Sequence, residues 1–154
     1  MGGTTRQANT RGTGSGDDYS EEGSAAQSVP PYASMQGAIM PVIHTHVSVP
    51  TTQEQRDTLK NLFGQAITAV PGKTENWLMC LFEDNVPMYF GGSDDAPVAY
   101  VEVNVFGTSV PKSAWEKLTP QIMNALQDTL NVPADRTYIR YTGTADWGWN
   151  GGNF

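Results

Sequence analysis

The feature that most constrains this chain is an internal repeat. Ser48-Val49-Pro50 returns as Ser109-Val110-Pro111, and Val70-Pro71 returns as Val132-Pro133. Between the members of each pair lies a pattern of helical period. Leu59, Leu62, Phe63, Ala66, Ile67 and Val70 fall on one face of the first; Trp115, Leu118, Ile122, Leu126 and Leu130 fall on one face of the second. Each pattern opens with the spacing of a capping box, Thr51-x-x-Glu54 and Ser113-x-x-Glu116. Pro120 interrupts the second pattern, which therefore either kinks there or restarts with Pro120 in its first turn.

Strand-like runs flank both helices, over residues 42–49, 77–82, 98–106 and 137–141. Tyr100-Val101-Glu102-Val103-Asn104-Val105 alternates as a strand with one less apolar face does. The order is βαβ followed by βαβ, joined at the turn-rich Phe90-Gly91-Gly92-Ser93-Asp94-Asp95. Parallel strands with a helical crossover take a right-handed connection. The expected fold class is therefore α/β in a two-layer α+β arrangement: duplicated βαβ units forming a four-stranded sheet with both helices on one face. The other face, read as carrying many apolar residues, needs a partner, which predicts an oligomer.

The repeat stops short of the N-terminus. Residues 1–40 are rich in Gly, Ser, Thr, Gln and Ala and contain no Leu, Phe or Trp. Such a segment buries too little apolar surface to offset the entropy of ordering it, so it is expected to be a disordered leader or extension. Residues 41–154 form the single expected domain. A net charge of −7 argues against a nucleic-acid or anionic-membrane partner, either of which gains its affinity from a basic face. One cysteine, Cys80, excludes an intrachain disulfide and any multi-cysteine metal site; in its short apolar strand it reads as a small buried hydrophobe. No run approaches the length of a membrane span, and no secretory signal pattern opens the chain. A cytoplasmic protein is expected, with unconventional secretion left open.

Several short motifs stand in order along residues 40–154. They are Met40-Pro41-Val42-Ile43, Gly72-Lys73, Phe90-Gly91-Gly92-Ser93, Phe106-Gly107, Asp135-Arg136-Thr137-Tyr138-Ile139 and Gly148-Trp149-Asn150-Gly151. On a duplicated βαβ pattern, this series resembles the macrophage migration inhibitory factor family of the tautomerase superfamily. The resemblance implies a homotrimer with its sites at subunit interfaces, keto–enol tautomerisation of phenylpyruvate-like α-keto acids, and in animal members a cytokine role. It implies no cofactor and no metal.

By the same resemblance, Pro41 is the catalytic base and the Lys73 ammonium holds the substrate carboxylate, assisted by the backbone N–H of Phe106. Trp77, Tyr138, Trp149 and Phe154 surround the substrate ring, with Tyr138 contributed by the neighbouring subunit. The chemistry suits a free N-terminal proline: an α-amino group titrates at roughly 7.7–8.0, and desolvation beside a cation lowers that value towards a useful base. The bland alternatives are a proline starting a strand, a lysine after a helix end and aromatic rings packed as core.

Three departures qualify the transfer. With residues 1–40 attached, the Pro41 nitrogen is an amide without a basic lone pair; Met40 directly before it points to an active chain that begins at Pro41. The Cys-x-x-Cys of mammalian members is replaced by Pro97-Val98-Ala99-Tyr100. Arg140 stands where animal members commonly carry asparagine, which points to a substrate with a second anionic group, to a variant superfamily chemistry such as dehalogenation or decarboxylation, or only to pairing with a surface carboxylate. The competing reading is a trimeric signalling or binding module with a blocked or vestigial pocket. His44 and His46 share one strand face, but the sequence shows no further ligand cluster, so they are read as no metal site.

Overall fold

Alternation along Pro41–Val47 (β1) sends Ile43, Thr45 and Val47 to one side, where all three are fully buried, and leaves Val42, His44 and His46 half-buried on the other. The same parity holds in Ala99–Phe106 (β3), whose Val101, Val103 and Val105 are fully buried. These two strands pair antiparallel at the centre of the sheet, Ile43 opposite Val103. Met79–Glu83 (β2) adds parallel to β1, and Thr137–Thr144 (β4) adds parallel to β3. The order is β2-β1-β3-β4, with an outlying hairpin of Gly148–Trp149 (β5) and Gly152–Asn153 (β6). The computed structural model describes residues 40–153. The expected leader, apart from Met40, and Phe154 lie outside the described residues.

Two helices, Gln53–Ala66 (α1) and Lys112–Leu130 (α2), cover the buried face. Leu59, Phe63 and Ile67 from the first half and Leu118, Ile122 and Leu126 from the second are fully buried in one cluster with the inward residues of β1 and β3. Both βαβ units, the four-stranded sheet and the two-layer packing agree with the expectation from the repeat, and the antiparallel β1–β3 pairing that joins the units makes the sheet mixed. Among the described residues, no helix is long and apolar enough to cross a membrane.

Local details depart from it. The first capping box sits one residue later than expected: Thr52 accepts from the Gln55 N–H, and the Gln55 side chain accepts in return from the Thr52 N–H. Thr51, expected as the cap, instead donates its N–H and hydroxyl to Asp84. In the second helix the Ser113 box does not form. Pro111 occupies the N-cap position and offers no side-chain hydrogen bond. Helix α2 runs unbroken through Pro120, and its C-terminus closes on Asn131 in the left-handed conformation, φ 57°. Asparagine tolerates that region better than most residues.

The uncovered face of the sheet is also more polar than expected. Its central positions carry His44, His46, Tyr100, Glu102 and Asn104, with Arg140 beside Glu102 on β4; Met79 and Leu81 are its exposed apolar residues along the outer strand β2. Period two fixes which residues share a face but does not make that face apolar. The joint between halves is held by Arg136, whose guanidinium donates to the carbonyls of Ser93, Ala96 and Pro97 and lies over the Phe90 ring.

Candidate active site

Pro41 opens β1 and is buried, opposite Val105 of β3. The first position of a strand is where proline's missing N–H costs no ladder bond. Lys73 reaches the same end of the sheet by a different route. Val70-Pro71-Gly72-Lys73 forms a turn in which Gly72 has φ 77° and the Lys73 N–H donates to the Val70 carbonyl at 3.1 Å. Proline followed by a glycine of positive φ is the signature of a type II turn. It directs the Lys73 side chain under the sheet end, where the residue is 5% exposed and Nζ donates to the Phe106 carbonyl at 2.9 Å. Burial pushes the Lys73 ammonium below its ordinary value. Its side chain therefore serves the far end of β3 rather than the carbonyls at the end of the preceding helix.

The end of β3 is shaped by two glycines. Gly107 (φ 127°) donates to the Thr144 carbonyl at 2.9 Å, and Gly143 lies so close that a Cβ there would collide with the Gly107 carbonyl oxygen. This close approach ends β3 at Phe106.

Around Pro41 the aromatics converge. Trp77 and Trp149 meet edge to face at 5.5 Å, and with Phe106 and Trp147 they pack against Met40. A cavity of about 300 Å³ beside them is lined by Met40, Pro41, Trp77, Leu78, Met79 and Trp149. Trp147 is a site residue that sequence reasoning missed. Its indole Nε1 is buried with no hydrogen-bond partner among the described residues. The available signal was Trp147-Gly148-Trp149, two tryptophans separated by a glycine, of which only Trp149 lay in a motif.

Met40 dominates this end of the sheet. It is 8% exposed and adopts φ 69°, a region that costs a non-glycine residue on the order of 1–2 kcal/mol. Its packing against the aromatic cluster offsets that cost, and its carbonyl accepts the Phe106 N–H at 3.2 Å. The donor that the resemblance assigned to a substrate carboxylate is thus engaged by the chain itself. Lys73 lines a second cavity, of about 410 Å³, with Val70, Phe106, Gly107, Pro111 and Ala145. Pro41 and Lys73 consequently line different cavities, with the Met40–Phe106 contact between them.

Tyr138 and Arg140 are not brought to this site. Tyr138 is 67% exposed on β4 opposite Tyr100, whereas Pro41 stands opposite Val105. The offset along the strands is roughly 16 Å at strand rise. Tyr138 contacts the Phe90 ring at 5.1 Å, and Arg140 lies opposite Glu102 on the uncovered face. Cys80 is half-buried against the helices, and burial followed by the nearby Glu75 pushes its thiol up to about 11.

A family model described as macrophage migration inhibitory factor (MIF) matches residues 40–154. Among solved structures, the chain is similar to MIF2 of Leishmania major, with 37% identity, a TM-score of 0.70 and coverage of 75% of this chain and 98% of that one. It is also similar to the MIF homologue of Prochlorococcus marinus, at 29% identity and TM-score 0.61 over 73% of this chain and 98% of that one. The Toxoplasma gondii MIF, at 24% identity and TM-score 0.65 over 73% of this chain and 99% of that one, shares the fold. A comparison with curated proteins gives no match.

Proposed function

The chain belongs to the macrophage migration inhibitory factor family, and from that premise we propose that it is a keto–enol tautomerase whose base is Pro41 once residues 1–40 are removed. The observation that carries the reading is the Met40–Pro41 junction. An aromatic-walled cavity lies directly at the proline, and the last residue to be removed is the one packed into its walls.

Release of Met40 does three things in this reading. It converts an amide nitrogen into a secondary amine, withdraws the Met40 carbonyl from the Phe106 N–H, and joins the cavity at Pro41 to the one lined by Lys73. A phenylpyruvate-like α-keto acid then places its ring against Trp77 and Trp149 and its carboxylate at Lys73 and the Phe106 N–H. The Pro41 amine takes a proton from the benzylic carbon as the carbon–carbon double bond forms, and the ketone oxygen gains a proton. No electrons enter or leave, so no cofactor is required. A base placed in this way contributes typically ~10²–10⁴-fold to rate.

Tyr138 enters only from a second subunit, because its own strand holds it at the other end of the sheet from Pro41; Arg140, mid-strand opposite Glu102, also stands away from the Pro41 of its own chain. A homotrimer with the site at its interfaces follows as part of the proposal, and light scattering of the trimmed chain tests it. A monomer would remove Tyr138 and Arg140 from the site.

The central experiment compares the full chain, the chain beginning at Pro41 and the trimmed Pro41→Gly variant in phenylpyruvate enol–keto interconversion. The trimmed chain is expected to be active, the full chain inactive, and the glycine variant slower by about 10²–10⁴-fold. A folded, trimmed chain without activity would leave the second reading, a binding or signalling module. That reading draws on the same Met40, because a chain that keeps it has an amide at Pro41 and Met40 packed against the aromatic cluster.

A further inference from the structure

The uncovered face of the sheet holds a cluster unrelated to the proline pocket. His44 and His46 project from β1, and Glu83 stands opposite His46 on β2. Glu83 Oε2 lies 2.8 Å from His44 Nε2 and 2.9 Å from His46 Nδ1, and the three ligand atoms all lie within 4.8 Å of one another. The imidazole centroids are 4.1 Å apart. We propose that His44, His46 and Glu83 bind a divalent transition metal of the zinc class, with one coordination position left open.

The donor set argues for that class of ion. Two imidazoles and one carboxylate suit zinc and its neighbours, whereas magnesium and calcium prefer oxygen ligands. Tetrahedral zinc bonds of about 2.0–2.1 Å hold ligand atoms about 3.4 Å apart. The two distances to Glu83 Oε2, 2.8 and 2.9 Å, reach that spacing by side-chain shifts of about half an ångström. Both histidines are about a quarter exposed, so the open position is reachable from the face.

The surroundings resemble an outer coordination shell. The second nitrogen of His44, Nδ1, faces Glu102 Oε2 at 3.9 Å. With metal on Nε2, the proton resides on Nδ1, and a carboxylate on that side orients the ring and favours that tautomer. Glu102 is itself fixed by the Tyr100 hydroxyl, which donates to Oε1 at 2.9 Å. The Tyr100 ring in turn stacks on His46 at 5.6 Å. Two carboxylates and a tyrosine thus hold both imidazoles in register. Every ligand comes from one chain, so the site does not depend on the tautomerase activity.

The test is calorimetric titration of Zn²⁺ into the metal-free full-length protein, with the His44→Asn/His46→Asn double variant alongside and circular dichroism confirming its fold. One ion per chain is expected, lost in the double variant, with Glu102→Gln weakening affinity by about 10–100-fold as an outer-shell change does. Absence of Zn²⁺ binding to the native protein, or undiminished binding by the folded double variant, overturns the proposal. If the variant does not fold, Cu²⁺ bound to the native protein decides by electron paramagnetic resonance. Coupling to two imidazole nitrogens is expected, and a spectrum without it refutes the site.

Discussion

The two βαβ halves share a hydrophobic skeleton and differ where the chain leaves each helix. In the first half, Val70-Pro71 leads into the turn at Gly72 and a longer connection that carries Lys73 and Trp77 before β2 begins at Met79. In the second, Val132-Pro133 leads into the single 3₁₀ turn Ala134–Arg136 and β4 follows at once. Lys73 and Asp135 occupy equivalent places after the repeated Val-Pro, yet Lys73 is buried against Phe106 and Asp135 is exposed. Packing demands were met twice with the same pattern. The halves differ in the segment after the repeated Val-Pro, where Lys73 turns inward.

The skeleton itself gives the sharpest contrast. Phe63 on α1 stacks with Phe82 at 6.2 Å, and Trp115 on α2 stacks with Tyr141 at 4.6 Å, each pair bridging a helix and its outer strand. Phe63 is fully buried, whereas Trp115 is partly exposed. Phe63→Ala is expected to destabilise by about 3–5 kcal/mol in urea unfolding, and Trp115→Ala by clearly less. Equal losses would break the contrast between a fully buried and a partly exposed aromatic pair.

The catalytic asymmetry is tested next. In the chain beginning at Pro41, Lys73→Ala removes a charged hydrogen bond worth about 1.5–3 kcal/mol, and kcat/KM should fall by about 10–100-fold. Asp135→Ala at the equivalent place should leave kcat/KM unchanged. A smaller effect comes from the helix starts. Thr52→Ala, which dismantles the observed capping box, should cost about 1 kcal/mol. Pro111→Asp should stabilise the uncapped second helix, and loss of stability there would show that Pro111 is needed for its fixed backbone.

The mildest prediction concerns alkaline pH. Cys80 on β2 and Tyr141 on β4 face the helices opposite Ile43 and Val103 respectively. Burial raises both, the thiol from 9.0 to about 11. A group whose folded value is raised contributes stability that is present below its unfolded value and is lost as pH rises. For Cys80 that window opens near pH 9.0 and extends to about 11. Urea midpoints should fall across it, and Cys80→Val should flatten the decline. An unchanged slope would assign the alkaline loss to the tyrosines whose values are also raised, Tyr141 by burial and Tyr100 by its hydrogen bond to Glu102.

The site was only partly legible in the sequence. Pro41, Lys73, Phe106 and Trp149 stand in the motifs that carried the resemblance, Trp77 was added only by what the resemblance implies, and the structure places all five at one end of the sheet. Trp147 escaped because a tryptophan in a loop has no periodicity to assign its direction. The occupation of the cluster by Met40 escaped for the same reason, since its side-chain packing depends on residues distant in sequence. Thr52 displaced Thr51 as the cap because Asp84, far along the chain, competes for Thr51.

The sequence by itself determined the duplicated βαβ order, the inward residues of β1 and β3, and the helix faces, because periods of two and 3.6 are local properties of the backbone. Only the tertiary structure decided which strand edges meet. Strand register brought Glu83 beside a histidine pair that the sequence left without a third ligand, and it separated Tyr138 from Pro41 along the sheet. Those outcomes rest on long-range pairings, and no local pattern encodes them.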